Sequence, residues 1–140
     1  MYVISAQAHY DSAHWLLNYE GKCSKLHGHR YVVEAALASE SLDDSGIAFD
    51  FKDLKKELRA LADELDHACL NELPQFEGLS TSAEVQAKYF FDALTDRLPK
   101  AMADGLQYIR IWETPTQWAL YGPGPMWAPA HRVPTLQEGS

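Results

Sequence analysis

Lys22-Cys23-Ser24-Lys25-Leu26-His27-Gly28-His29-Arg30, running on into Tyr31-Val32-Val33-Glu34-Ala35-Ala36-Leu37, is a polar connection that turns into a strand-forming run. Upstream, Tyr2 to Asp11 is rich in Tyr, Val, Ile and Ala without a helical apolar period and reads as a first strand, with the second from about His29 to Leu37. Residues 13–28 between them are long for a hairpin loop, and loops of that length usually owe it to function. An antiparallel pair with a histidine-bearing connection is therefore expected.

Working outward, Ser39 to Gly46 is a polar turn, after which Asp50 can cap a helix carrying Phe51, Leu54, Leu58, Leu61, Ala62 and Leu65 on one face. Past a loop with Pro74 and Gly78, Thr81 and Glu84 have the spacing of a capping box, and Val85, Tyr89, Ala93 and Leu94 recur at the helical period up to Pro99. Leu106 to Glu113 alternates as a strand does, with Gln117 to Tyr121 a short partner across a turn. The order β-β-α-α-β-β predicts a single α+β domain over residues 1–121, an antiparallel sheet with two helices on one face. Residues 122–140 are rich in Pro and Gly and read as an extended C-terminal tail with no assigned chemistry.

The 140 residues, 46% hydrophobic and 23% charged, have room for one domain with a real core. Twelve Lys and Arg against twenty Asp and Glu give a formal charge of −8, which argues against a general nucleic-acid-binding surface. Two cysteines, Cys23 and Cys69, are too few for a disulfide scaffold, nothing at the N-terminus reads as a signal peptide, and no apolar run nears the ~20 residues that cross a bilayer. A cytoplasmic protein with reduced thiols and no membrane partner is the expectation.

In an extended segment residues two apart point to the same side, so His27 and His29 can offer their imidazoles to one metal ion. The antiparallel partner brings His14 beside the start of the second strand. Three neutral imidazoles with a free fourth position make the arrangement of catalytic zinc; the alternative is a set of unrelated, separately bonded histidines. Cys23 admits two roles: a fourth ligand that closes a structural zinc site, or a thiolate, favoured by Lys22 and a nearby dication, that takes a proton. Lys22, Lys25 and Arg30 add a local charge of +3 in a segment without acids, compatible with an anionic substrate.

Asp66 and His67, at the C-terminal end of the first helix, read either as a dipole-matched terminus or as a proton-relaying histidine oriented by a carboxylate. Glu113 shares the parity of Ile109 and Ile111. It is either a solvated strand-end acid or a carboxylate that accepts two parallel N–H bonds from an amidine-like edge, such as that of a pterin or guanine.

Tyr10-Asp11-Ser12-Ala13-His14, Cys23-x3-His27-Gly28-His29, Gly46 leading to Asp50-Phe51, Leu65-Asp66-His67 with Leu70-Asn71, and Glu113-Thr114 occur in an order that resembles the 6-pyruvoyltetrahydropterin synthase/6-carboxytetrahydropterin synthase family. The resemblance implies a T-fold (tunnelling fold) whose subunits join their sheets into an oligomeric barrel, a homo-oligomer of trimer or hexamer type with sites between neighbours. It implies Zn2+ held by His14, His27 and His29, Cys23 as the proton-abstracting thiolate assisted by His67 and Asp66, and Glu113 as the pterin anchor. The hydroxyls of Thr81 and Ser82 would lie near the ring, although the family's Pro-Thr before the second helix is Ser80-Thr81 here.

Three residues between Cys23 and His27 look like the bacterial carboxy-type enzymes of queuosine (7-deazaguanine) biosynthesis. That similarity implies a zinc-dependent lyase, a 6-carboxytetrahydropterin synthase, which converts 7,8-dihydroneopterin triphosphate to 6-carboxy-5,6,7,8-tetrahydropterin and releases acetaldehyde and triphosphate. The alternatives are a pyruvoyl-type enzyme, which eliminates triphosphate only, and a non-catalytic zinc or pterin-binding module in which Cys23 is the fourth ligand.

Overall fold

The computed structural model describes residues 1–124, so the expected tail over 122–140 lies almost wholly outside the described residues. Strand β1 (Tyr2–His14) alternates as a half-covered strand must: Ala6, Tyr10, Ser12 and His14 are buried, while Ser5, Gln7 and His9 are exposed. It pairs antiparallel with β2 (His27–Ser39) in a register that sets Tyr10 opposite Tyr31, Ser12 opposite His29 and His14 opposite His27. Both strands run further towards the loop than their composition suggests, β1 to His14 rather than Asp11 and β2 from His27 rather than His29. Ladder bonding to the partner extends them through polar residues whose own strand preference is weak.

Helix α1 (Phe51–Leu65) starts at Asp50, whose carboxylate accepts the Lys52 N–H at 2.8 Å, and it buries Leu54, Leu58, Leu61, Ala62 and Leu65 against the sheet. Helix α2 (Ala83–Arg97) buries Ala83, Gln86, Ala87, Phe90 and Leu94. Its cap corrects the expected box. Ser82, not Thr81, accepts the Val85 N–H, at 3.2 Å, and Glu84 is left exposed. Thr81 is unavailable because its hydroxyl and carbonyl are committed elsewhere, as described below.

Two small elements were not evident from periodicity. β3 (Ala68–Cys69) runs parallel to β1 at Ser12–Ala13, and α3 (Lys100–Gly105) restarts the chain after Pro99, whose fixed φ ends α2 and caps the next turn. β4 (Leu106–Thr114) and β5 (Gln117–Tyr121) complete a sheet of order β3-β1-β2-β4-β5. The architecture is the expected α+β layer, a sheet with its helices over one face, and among the described residues the one parallel pair is that of the two-residue β3 with β1.

Gly105 is needed where α3 passes β2. A Cβ there would lie 2.8 Å from the Ala38 carbonyl oxygen and 3.1 Å from the Phe49 ring, and the carbonyl belongs to the sheet and has little freedom to move. Gly105→Ala is expected to lower stability by about 1–3 kcal/mol, as overpacking does, read as a lower urea midpoint with an unchanged m-value.

Candidate active site

Strand parity assembles the site. Even positions of β1 and odd positions of β2 and β4 share the helix-covered face, and at its open end they present His14, His27, His29 and Glu113. One ligand atom from each lies within 4.8 Å of all the others. The alternative of unrelated histidines is thereby removed: three rings and a carboxylate converge.

The chemistry of the donors points the same way. Nδ1 of His14 is 2.7 Å from the Thr81 carbonyl, and Nδ1 of His27 is 2.6 Å from the Lys25 carbonyl. A carbonyl only accepts, so both Nδ1 atoms carry the proton and both Nε2 atoms present lone pairs. Those two Nε2 atoms face each other at 3.1 Å, a repulsive arrangement unless a cation lies against both. Nε2 of His29 is buried without a hydrogen-bond partner, since the Glu113 carboxylate approaches to 2.9 Å but out of line. Oriented imidazoles backed by carbonyls, one orphaned nitrogen and an acid fit a divalent metal. Burial lowers the pKa of His14 and His29 below the usual imidazole value, outweighing the Glu113 charge near each, and so favours the neutral, metal-binding form.

Behind His14 is a buried polar network that holds its ring. The Thr81 carbonyl also accepts from Gln86 Nε2 at 2.9 Å, and the Thr81 hydroxyl donates to Asn71 Oδ1 at 3.0 Å and approaches the Trp15 carbonyl at 3.2 Å. Asn71 clasps the Trp15 backbone from both sides, accepting its N–H and donating to its carbonyl, each at 3.0 Å. Thr81 is wholly buried, so within this chain it acts on the site through His14, while Ser82 caps α2. Gln86 and Asn71 were missed as site residues. Gln86 was detectable in principle as a polar residue on the buried side of a helical period.

Cys23 lies in a 3-10 turn over Lys22–Ser24, a free, half-buried thiol whose backbone carbonyl accepts from Leu16 at 2.7 Å. Its sulfur is not among the converging ligand atoms; the fourth converging group is Glu113. Of the two roles that Cys23 admits, this grouping gives no support to the fourth ligand. Glu113, for its part, stands against His29 rather than apart from the imidazoles.

Asp66 and His67 pair directly, Nδ1 to Oδ2 at 2.8 Å. Neighbours in sequence achieve this because His67 is left-handed, with φ of 54°, which folds its ring back over Asp66. The other Asp66 oxygen accepts the Asp11 N–H at 2.8 Å, and this bond, ahead of the one from His67, holds its pKa below the ordinary carboxylate value. His67 is exposed and lines an open concavity of roughly 550 Å³ with Asp11, His29, Arg30 and Cys69. By alternation Asp11 and Arg30 belong to the sheet face opposite the imidazoles, and Cys23 does not line this concavity. Arg30 is neutralised across the strands by a two-point pair with Asp11 at 2.9 and 3.0 Å, so the local +3 of residues 22–30 reduces to the exposed Lys22 and Lys25.

Residues 3–123 match the family described as 6-pyruvoyl tetrahydropterin synthase. The chain is 33% identical over 126 residues to 6-carboxy-5,6,7,8-tetrahydropterin synthase of Synechocystis sp., covering 86% of this chain and 93% of that one. It is 32% identical over 103 residues to 6-pyruvoyl tetrahydrobiopterin synthase of Dictyostelium discoideum, covering 72% and 73%. Among solved structures, 6-pyruvoyl tetrahydropterin synthase of Caenorhabditis elegans superimposes with a TM-score of 0.79 at 26% identity, over 88% of this chain and 96% of that one.

Proposed function

Because the chain belongs to the 6-pyruvoyl tetrahydropterin synthase family, we propose that it is a zinc-dependent lyase that converts 7,8-dihydroneopterin triphosphate to 6-carboxy-5,6,7,8-tetrahydropterin, releasing acetaldehyde and triphosphate, in queuosine biosynthesis. The observation that carries the reading is the convergence of His14, His27 and His29 with two of their outer nitrogens bonded to carbonyls. The carboxy-type product is favoured by the three-residue interval between Cys23 and His27 and by the Synechocystis relative's name.

His14, His27 and His29 would hold the metal, which when bound supplies charge stabilisation to oxygen on the substrate side chain. Cys23, four residues before His27 and outside the set of converging ligand atoms, takes the proton from the side-chain carbon. Glu113 holds the ring by its amidine edge, exchanging its contact with His29 for two N–H bonds from the ligand. His67, its Nδ1 fixed by Asp66, presents Nε2 to return protons as bonds break. His67 and Cys23 do not share the concavity, which His29 also lines, and we take His67 to serve Cys23 of a neighbouring subunit, in a homo-oligomer of trimer or hexamer form. No helix among the described residues is long and apolar enough to cross a membrane.

The deciding experiment gives the zinc-loaded protein dihydroneopterin triphosphate and identifies the products by mass. Acetaldehyde with the carboxy product supports the reading. The pyruvoyl-type alternative, favoured by the name of the Dictyostelium relative, releases triphosphate with the three-carbon side chain retained. Asp66→Asn is expected to slow turnover about 100-fold with zinc content unchanged, because an amide offers His67 Nδ1 a donor and reverses the tautomer. Steady-state kinetics with metal analysis checks this, and an unaltered rate would remove Asp66 from the relay.

A further inference from the structure

Gln86 is wholly buried in the first turn of α2, on the stripe that Ala83, Ala87, Phe90 and Leu94 make apolar. An amide on such a stripe is costly unless its polar atoms are bonded, and a Met of similar size would carry no such cost. Gln86 grips two successive carbonyls of the chain entering the helix. Its main-chain N–H donates to Ser82 at 3.0 Å, and its side-chain Nε2 donates to Thr81 at 2.9 Å. The Ser82 carbonyl is the first of the helix, since Ser82 is the capping residue. The Thr81 carbonyl precedes it and lies outside the helical ladder, so the helix alone does not fix its direction.

That carbonyl is the acceptor of the His14 Nδ1–H at 2.7 Å, and it therefore sets which nitrogen of His14 is left for the other rings. Which end of the Gln86 amide faces Thr81 is also settled. The Tyr10 hydroxyl donates to Oε1 at 2.6 Å, leaving Nε2 for the carbonyl. Tyr10 and His14 lie on the same face of β1, and Tyr10, His14, Thr81 and Gln86 are all buried. A closed chain of bonds thus leaves β1 at the Tyr10 O–H, crosses the Gln86 amide to the Thr81 carbonyl at the mouth of α2, and returns to β1 at the His14 ring.

We infer that Gln86 is a positioning residue of the metal site: by holding the Thr81 carbonyl against His14 it keeps Nε2 of that ring aimed at the ion, and so raises the affinity for zinc. This rests on the zinc reading above and extends the support of His14 one residue beyond the group its ring touches. Outer partners of ligating histidines ordinarily weigh on metal affinity.

The test uses the full-length protein in four forms: wild type, Tyr10→Phe, Gln86→Met and the double variant Tyr10→Phe/Gln86→Met. Zinc affinity is measured by competition with a chromophoric chelator at a temperature where the proteins are folded, the ligand field by visible absorption of the cobalt-substituted forms, and stability by zinc-free melting. Tyr10→Phe is expected to melt lower than wild type yet bind zinc within about twofold of it, because Nε2 still faces the carbonyl. Gln86→Met should melt lower, with the Tyr10 hydroxyl left unpaired, and bind zinc about 3–10-fold more weakly, the value of one net hydrogen bond. The double variant replaces both bonded groups by apolar ones of similar shape. It should regain most of the melting temperature lost in Gln86→Met while binding zinc just as weakly, with cobalt bands displaced from those of wild type. Should Gln86→Met fail to fold, the double variant alone carries the comparison. A double variant with wild-type zinc affinity and cobalt spectrum, or an affinity that follows melting temperature through the series, overturns the inference while the zinc reading stands. If wild type takes up no zinc, the zinc reading fails and the inference falls with it.

Discussion

Cys23→Ala is expected to lose turnover by about 10²–10⁴-fold, the range of a positioned proton-transfer group, while retaining close to the wild-type amount of zinc. The two halves of that result come from different observations. Loss of turnover follows from the proposed proton transfer by a free thiol held in a turn whose backbone Leu16 fixes. Retention of metal follows from the membership of the ligand set, in which the fourth converging group is Glu113 and not sulfur. Kinetics with metal analysis on one purified variant reads both. A Cys23→Ala protein that comes off the column free of zinc would make the sulfur a ligand and return the protein to the non-catalytic alternative.

How much of this site could be read from residues alone depended on whether local geometry or the folded chain decided each group. His27 and His29 share a face because strand period is two, and an antiparallel return after a loop carries His14 to their side; neither step needs tertiary information. Glu113 was placed on the correct face by the same parity, but its contact with His29 depends on how β4 registers against β2, which a sequence does not display. The Asp66–His67 contact requires adjacent side chains, which normally diverge, to meet. A left-handed φ at a non-glycine residue reverses that, and nothing in the residue types announces it. Thr81 misled for a related reason. Its spacing to Glu84 suits a cap, yet its groups are taken by His14, Trp15, Gln86 and Asn71, which come from three other segments. The +3 charge of residues 22–30 overestimated the patch because the compensating acid, Asp11, is across the sheet from Arg30 rather than beside it in sequence.

Removing one imidazole should test the metal site more sharply than removing any other side chain, and His27 is the one to remove. His14 is buried and its Nδ1 bond ties β1 to the start of α2, so His14→Ala would confound metal loss with unfolding. His27 is half-buried, and its outer nitrogen bonds only to the carbonyl two residues back. In metal-free protein His27→Ala also relieves the 3.1 Å approach of two lone-pair nitrogens, so the fold should not suffer. With zinc present the variant lacks a ligand, and its affinity should fall by at least about 100-fold. A metal that binds only the folded state raises the melting temperature by mass action, so chelator should lower that of wild type and leave that of His27→Ala almost unmoved. Differential scanning calorimetry with and without chelator gives four melting temperatures. The two chelated proteins should coincide to within a few degrees, on the order of 1 kcal/mol, with only metal-loaded wild type standing above them. Wild type indifferent to chelator would mean that these rings hold no stabilising ion, and a variant that keeps the full chelator response would move the ion away from His27.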